Sequence, residues 1–372
     1  MKQKFFVFGF IGIFILSGIS YGQSSVNNDE TLKETLQTLS KDAARSYLSP
    51  ISSAFGTDLN AGWFHRAPAA KMLGFTFELG FVGMGAYFPD EAKSFTKSGQ
   101  FRFSTNEAVK LVLNDPNSSL TYDDLNGVQK AVVDEITKEY FDVEMSGPTI
   151  IGSDKDNIKI VFPEKEFQNV GGTGADYTVV EQNIELPVKG FKELANASFM
   201  PLMTTQFKIG TIAGTNVNFR WLPKVKLQDD LGYFSYFGFG IQHNPEVFLP
   251  QPLPLDLALG FFTQRMEIGD IFTTKTTSFG ITASKQFGIR IFNVTPYAGF
   301  MFENADMEVR YDYMVDLPGG QQEIIPIKFQ LEGENKTRLT LGVNFMLLIF
   351  NLNADYSIGQ YNSFSAGIHF AI

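Results

Sequence analysis

Seven ionisable residues stand on faces that are otherwise small or polar: Glu78, Lys208, Arg220, Asp256, Glu303, Arg338 and Asp355. Each has an apolar residue immediately beside it in the chain, as with Phe219-Arg220-Trp221 and Phe302-Glu303. Charges at this spacing have two uses. They pair with opposite charges to fill a narrow interior, or they line a pore and set its selectivity. Catalysis would need other groups. The three histidines, His65, His243 and His369, have no carboxylate at ligand spacing, and the chain has no cysteine. No zinc centre and no thiolate site is expected. The nearest approach to a hydrolase is His243 with Ser278 or Ser284, and these would have to meet on neighbouring strands. Asp154-Lys155-Asp156-Asn157 lacks the Gly and distal Glu of a calcium loop. Gly171-Gly172-Thr173-Gly174 has no Lys after it and no strand-to-helix frame. The expectation is a protein that is not an enzyme and holds no cofactor or metal.

The elements that must position these charges alternate with period 2. Leu73, Phe75, Phe77, Leu79 and Phe81 oppose Gly74, Thr76, Glu78 and Gly80. The pattern is stronger from Met200 onward. Met203, Thr205, Phe207 and Ile209 oppose Thr204, Gln206, Lys208 and Gly210, and Val217, Phe219 and Trp221 oppose Asn216, Asn218 and Arg220. The closing strand sets Phe364, Ala366, Ile368 and Phe370 against Ser365, Gly367 and His369. A soluble sandwich turns an apolar face inward and a charged face outward. Here the second face is Gly, Ser, Thr, Asn and Gln with single charges, and the first is rich in Phe and Leu. The composition agrees, with 38 Phe, 34 Gly and only 19% charged residues. Apolar outside and polar inside, strand after strand, is the pattern of an outer-membrane barrel. The seven charges then face the lumen. Aromatics near strand ends (Phe75, Trp221, Tyr233, Phe287, Tyr356 and Phe370) are candidates for interfacial girdles, and Phe370 in the last strand is the candidate assembly signal.

Residues 1–22 read as a secretory signal: Lys2 and Lys4, an apolar Phe5–Leu16, then Ser20-Tyr21-Gly22 before the cut. No later apolar run is long enough for a helix anchor. Leu32, Leu36, Leu39, Ala43, Tyr47 and Ile51 recur at helical spacing, so 23–57 is expected to hold an amphipathic helix, periplasmic or acting as a plug, ended by Pro50 and Gly56. Residues 58–372 make the barrel. Residues 111–198 read as loop insertions with short strands rather than as a separate domain, and the apolar 188–203 stretch is a candidate for entering the lumen. Residues 305–337 are an extracellular excursion with Leu317-Pro318-Gly319-Gly320 at its tip. The fold class is all-β: a transmembrane antiparallel β-barrel of about 14 strands, within a range of roughly 12 to 16, with a short N-terminal helix. Both barrel termini are expected in the periplasm. That places the turns at 213–214, 288–290 and 350–351, and the Pro-rich 244–254 connection, on the periplasmic side.

Three stretches carry a family resemblance: Gly214-Thr215-Asn216-Val217-Asn218-Phe219-Arg220-Trp221-Leu222-Pro223, Gly238-Phe239-Gly240-Ile241-Gln242-His243-Asn244, and Asp355-Tyr356-Ser357 with Ser365-Ala366-Gly367. With them the chain resembles an uncharacterised family of Gram-negative outer-membrane proteins. In its signal peptide, N-terminal helix and barrel size it is similar to the fatty-acid transporter (FadL-like) channels. The Asn-Pro-Ala motif of those transporters is missing; the nearest string is Arg66-Ala67-Pro68-Ala69. The resemblance implies a channel or transporter for a small solute, with hydrophobic molecules as candidates. The alternative is a non-transporting scaffold, or a subunit of a secretion or adhesion machine acting through extracellular loops. Expected partners are outer-membrane lipid and the barrel-assembly machinery, with the protein itself a monomer. A formal net charge of -10 with no basic run argues against nucleic acid.

Overall fold

The computed structural model describes residues 30–372 apart from 116, 229–231, 252, 290 and 317–321. The signal segment and the 317–320 tip therefore lie largely or wholly outside the described residues. The described residues form two compact units, one of residues 48–90 and 196–372, the other of residues 30–47 and 91–195.

The larger unit is a closed antiparallel barrel. Its strands are β1 (Thr76–Tyr87), β2 (Phe199–Ile212), β3 (Thr215–Gln228), β4 (Gly232–His243), β5 (Asp256–Ile268), β6 (Phe272–Ser284), β7 (Phe292–Asp316), β8 (Thr337–Leu347), β9 (Phe350–Ile358) and β10 (Ser363–Ala371). Each pairs with the next in chain order. The ring closes where β1 meets β10, with Glu78 opposite Ala371 and Ala86 opposite Ser363. Two further strands are bonded to β7 outside the ring: Phe287–Ile289, and Gln322–Glu332, which makes a long hairpin with the far half of β7.

Ten strands close the ring, where about 14 were expected. The excess came from the region after β1. Those segments have strand periodicity, but they pair with one another and never join the ring. Period 2 is the same in a barrel wall and in a small soluble sheet, so the pattern alone does not assign a strand to either.

The wall sorts as its alternation requires. Arg220 is fully buried while its neighbour Trp221 is 52% exposed. Phe81, Phe237, Leu259, Phe279, Phe300, Leu341 and Ile368 form an outward apolar surface drawn from many strands. Such a surface on a closed ring fits a hydrocarbon surround. Among the described residues no helix is long and apolar enough to cross a membrane.

The smaller unit corrects the expectation of loop insertions at 111–198. Its sheet runs in the order Ser94–Phe101, Phe141–Pro148, Ile158–Phe162, Gln182–Leu186. Val133, Ile136, Val143, Met145 and Ile158 are fully buried in this unit, and Phe101, Phe103 and Phe141 pack ring against ring. Both of its longer inserted helices start from reciprocal caps. Ser104 and Glu107 exchange hydrogen bonds at Thr105–Leu113, and Asn126 and Gln129 do so at Gly127–Lys138. Asn126 is the N-cap of the second of these helices, and Asn114 is the C-cap of the first.

Helix α1 spans Glu30–Asn60 and runs through both of its expected stops, Pro50 and Gly56. A proline inside a helix removes one donor, but its neighbours can carry the helix on. At Gly56 the reason for glycine is packing: a Cβ there would stand 2.4 Å from the Ala305 Cβ. The first part of α1 belongs to the smaller unit. Thr35 Oγ1 donates to the Gln100 carbonyl at 3.1 Å, and the Ile150 N–H donates to the Tyr47 carbonyl at 3.0 Å.

Candidate functional site

The interior of the barrel is the candidate site, and the chain itself occupies it. Residues 52–68 run through it from one end to the other. At one end Ser53 Oγ accepts from the Glu334 N–H at 3.2 Å. Leu59 then packs among Val82, Met84, Leu202, Tyr236 and Met266 from β1, β2, β4 and β5. Trp63 stacks on Phe262 with centroids 5.2 Å apart, and Phe64 meets Tyr297 edge to face. At the other end the Ala67 N–H donates to Ser284 Oγ at 3.0 Å, and Asn244 Nδ2 donates to the Pro68 carbonyl at 2.8 Å. The expectation that 188–203 enters the lumen is not met. Lys192–Ala195 is a short helix in the smaller unit, and Phe199 begins β2.

Inward glycines make room for this segment. A Cβ on Gly238 would lie 2.7 Å from the Trp63 ring, and one on Gly299 would lie 2.4 Å from the Phe64 ring. Gly238 and Gly299 of the lumen face are thus sockets for two aromatic side chains.

The seven charges predicted to face the lumen are placed as follows. Glu78 on β1 is fully buried and faces three basic side chains. Its Oε2 lies 2.9 Å from His65 Nε2 and 3.6 Å from Lys208 Nζ, and its Oε1 accepts from Arg66 Nη2. His65 also stacks on His369 of β10, with ring centroids 4.8 Å apart. Arg220 on β3 donates from Nε to Gln206 Oε1 at 2.8 Å and from its two terminal nitrogens to the carbonyls of Leu59 and Ala61. Its guanidinium also lies 4.1 Å over the Trp63 ring. Arg338 on β8 donates to the Asn60 carbonyl and faces Glu303 Oε2 at 3.5 Å. Asp355 on β9 accepts from the Tyr297 and Ser365 hydroxyls at 2.8 and 2.6 Å. Asp256 is apart from the rest, half-buried at the end of the barrel where residues 67–75 lie. There it helps line a cavity of about 820 Å³ with Arg66, Lys71, Thr76 and Asn293.

The guanidinium fork explains the choice of arginine at 220 and 338. The last residues of a helix and the turn after it leave carbonyls without helical partners. Asn60 is the last residue of α1, and Leu59 and Ala61 flank it. A planar cation with several donors satisfies these carbonyls inside the barrel, where water does not have to.

Phe370 faces outward from β10, paired across the strands with Leu79 and Phe350. His243 does not meet Ser278 or Ser284. Its Nδ1 lies 2.9 Å from Thr215 Oγ1, and its ring lies against Phe248. Sequence reasoning missed Trp63, Phe64, His65 and Arg66. The available signal was a run of large aromatic and basic residues between the helix and the first strand, with neither helical nor alternating spacing.

The profile of DUF6588, a family of unknown function, matches residues 1–372. No curated protein matches the chain. Among solved structures, the fold is similar to the attachment invasion locus protein Ail of Yersinia pestis, at 12% identity and TM-score 0.21, covering 42% of this chain and 96% of that one. It is similar to a loop-deletion mutant of the outer-membrane protein OmpT of Vibrio cholerae, at 10% identity and TM-score 0.23, covering 80% and 99%. It is also similar to the β-domain of the Bordetella autotransporter BrkA, at 11% identity and TM-score 0.20, covering 80% and 99%.

Proposed function

Because the chain belongs to the DUF6588 family, whose function is unknown, we propose from its own geometry that it is a sealed barrel of the Gram-negative outer membrane. In this reading it anchors a folded unit at the membrane and serves as a scaffold, or as an adhesion or secretion component. One observation carries the reading: residues 52–68 fill the interior and are held there by hydrogen bonds and an ion pair from β1, β2, β3 and β8. The outward Phe and Leu surface supports the membrane location. The test is conductance across a planar bilayer by the full chain purified from outer membranes. The expected result is a closed barrel, with no steady open level. A stable, ohmic pore from the unmodified protein would overturn the sealed reading.

A second reading is a solute channel whose internal segment moves aside. The cavity at one mouth favours it, as do the buried side-chain amides of Asn218 and Gln264, which have no protein partner. Orphaned polar groups of this kind fit a wall shared with water. In that reading a small solute enters liposomes only when the internal segment is displaced.

A further inference from the structure

The order of contacts along residues 48–87 describes a chain that goes through the barrel and returns in its wall. The inner segment starts at the end that carries residues 333–336, where Ser53 meets Glu334. It passes Asn304 at residue 60 and Gly238 at residue 63, and reaches Ser284 and Asn244 at residues 67 and 68. Beyond the far mouth, the Lys71 and Met72 carbonyls accept from the N–H groups of Gly214 and Ala213 in the β2–β3 turn. The chain then turns into β1 and comes back to the first end at Tyr87.

The two ends of the barrel differ in their connections. The first end has residues 88–198 between β1 and β2, the long hairpin of β7 with Gln322–Glu332, and the links at 229–231, 269–271 and 359–362. The second has the links at 213–214, 244–255, 285–291 and 348–349, together with the close of β10. Outer-membrane barrels keep short turns in the periplasm and long loops outside. The first end is therefore the outer one.

We propose that this protein crosses the outer membrane through its own lumen, so that residues 30–47 reach the cell exterior together with residues 91–195. This rests on the membrane-barrel reading above, but not on the barrel being sealed. The sequence alone places the N-terminal helix at the periplasmic mouth. In the structure its first half is instead hydrogen-bonded into the unit formed by 91–195: Tyr47 donates through its hydroxyl to the Lys189 carbonyl at 2.9 Å, and Thr35 donates to Gln100. A segment bound there has to leave the barrel at the end where β1 finishes and β2 begins. The exterior unit is thereby assembled from two stretches of chain. One arrives through the lumen and the other over the rim.

The chain has no native cysteine, so single cysteines report without background. Thr38→Cys and Lys155→Cys probe the two stretches of the smaller unit, and Gln251→Cys and Gln286→Cys probe the opposite end; all four positions are exposed. Intact cells are treated with a membrane-impermeant maleimide, and each variant is checked for heat-modifiable migration and for labelling after denaturation. The expected result is labelling of Cys variants at 38 and 155 in intact cells, and of those at 251 and 286 only after the outer membrane is permeabilised. Labelling at 155 with protection at 38 would overturn the threading. Labelling at 251 and 286 with protection at 38 and 155 would overturn the orientation. A steady open pore alongside the expected pattern would remove the sealed reading and leave the threading intact. Loss of all four proteins from the membrane fraction would instead remove the barrel reading on which both depend.

Discussion

Arg220 Nη2 on β3 donates to the Ala61 carbonyl at 2.8 Å, joining the wall of the barrel to the segment that fills it. The Leu59 carbonyl takes a second donor from the same guanidinium. Arg220→Ala takes the guanidinium donor from the buried Ala61 carbonyl, at about 1–3 kcal/mol for an unsatisfied group, while the Leu59 carbonyl keeps the Trp63 Nε1–H at 2.9 Å. The barrel wall keeps its backbone ladder, so the expected effect is on the segment. Residues 52–68 should become accessible to added protease, and brief openings should appear in single-channel records. Lysine at 220 should not restore the closed state, because one ammonium cannot reproduce the fork. Records as quiet as those of the unmodified protein would count against the role given to Arg220.

Glu78 pairs with His65, Arg66 and Lys208. Glu78→Gln removes the charge that faces these groups and leaves buried cations without a counter-charge. Breaking one side of a buried pair costs about 3–5 kcal/mol. The temperature at which the barrel loses its compact gel mobility should fall. Adding Lys208→Met to Glu78→Gln should recover part of the loss, since one uncompensated cation is then gone. A double variant no more stable than the single would show that the Lys208 pair is not what Glu78 supports.

Gly299→Ala tests the aromatic sockets. The new Cβ would lie 2.4 Å from the Phe64 ring, and overpacking of this sort costs about 1–3 kcal/mol. Gly299→Ala should destabilise the barrel in the same thermal gel assay, and Phe64→Leu in that background should relieve it. No change in either variant would place Phe64 elsewhere.

Phe370→Asp puts a carboxylate on the lipid-facing side of the closing strand, beside Phe350. Charge on that face costs about 2–4 kcal/mol for a basic residue at mid-membrane, and less for a carboxylate or nearer the interface. The variant should fail to reach the outer membrane, as judged by fractionation. Normal insertion would remove both the lipid-facing assignment and the assembly role of Phe370.

Tyr47 gives a pH dependence to the smaller unit. Burial pushes its phenol up from 10.0 to about 12. The folded state keeps the proton to a higher pH than the unfolded state does. The stabilising contribution is therefore complete below about pH 10 and is lost as pH rises through 12, at about 1.4 kcal/mol for each pH unit of that window. Proteolysis of residues 91–195 in the assembled protein should accelerate across this range. Tyr47→Phe should flatten the acceleration. An unchanged alkaline profile in Tyr47→Phe would assign the effect to another group.

The barrel was legible because a wall strand records two media on alternate residues, as Arg220 and Trp221 do. The strand number was less legible. Lys159 and Ile160 alternate as a wall strand would, but belong to a sheet with its own small core. Inward orientation of the charges follows from parity, whereas their partners do not. His65 lies on the internal segment and His369 on β10, and only the passage of that segment through the closed ring brings them together. The internal segment had no periodic signature, because its side chains meet different strands on every side.

The closing seam also sets an order of events. β1 is the strand that completes the ring against β10, and the chain immediately before it is the one that passes through the middle. If the ring closed first, residues 48–75 would have to be drawn through a space that their own side chains fill, with folded chain trailing behind. The alternative meets no such obstacle: the wall curls around the inner segment and zips shut at β1–β10 last. Registration of the first and last strands then takes place around an occupied centre, and variants that weaken this seam should stall as open sheets rather than as empty rings.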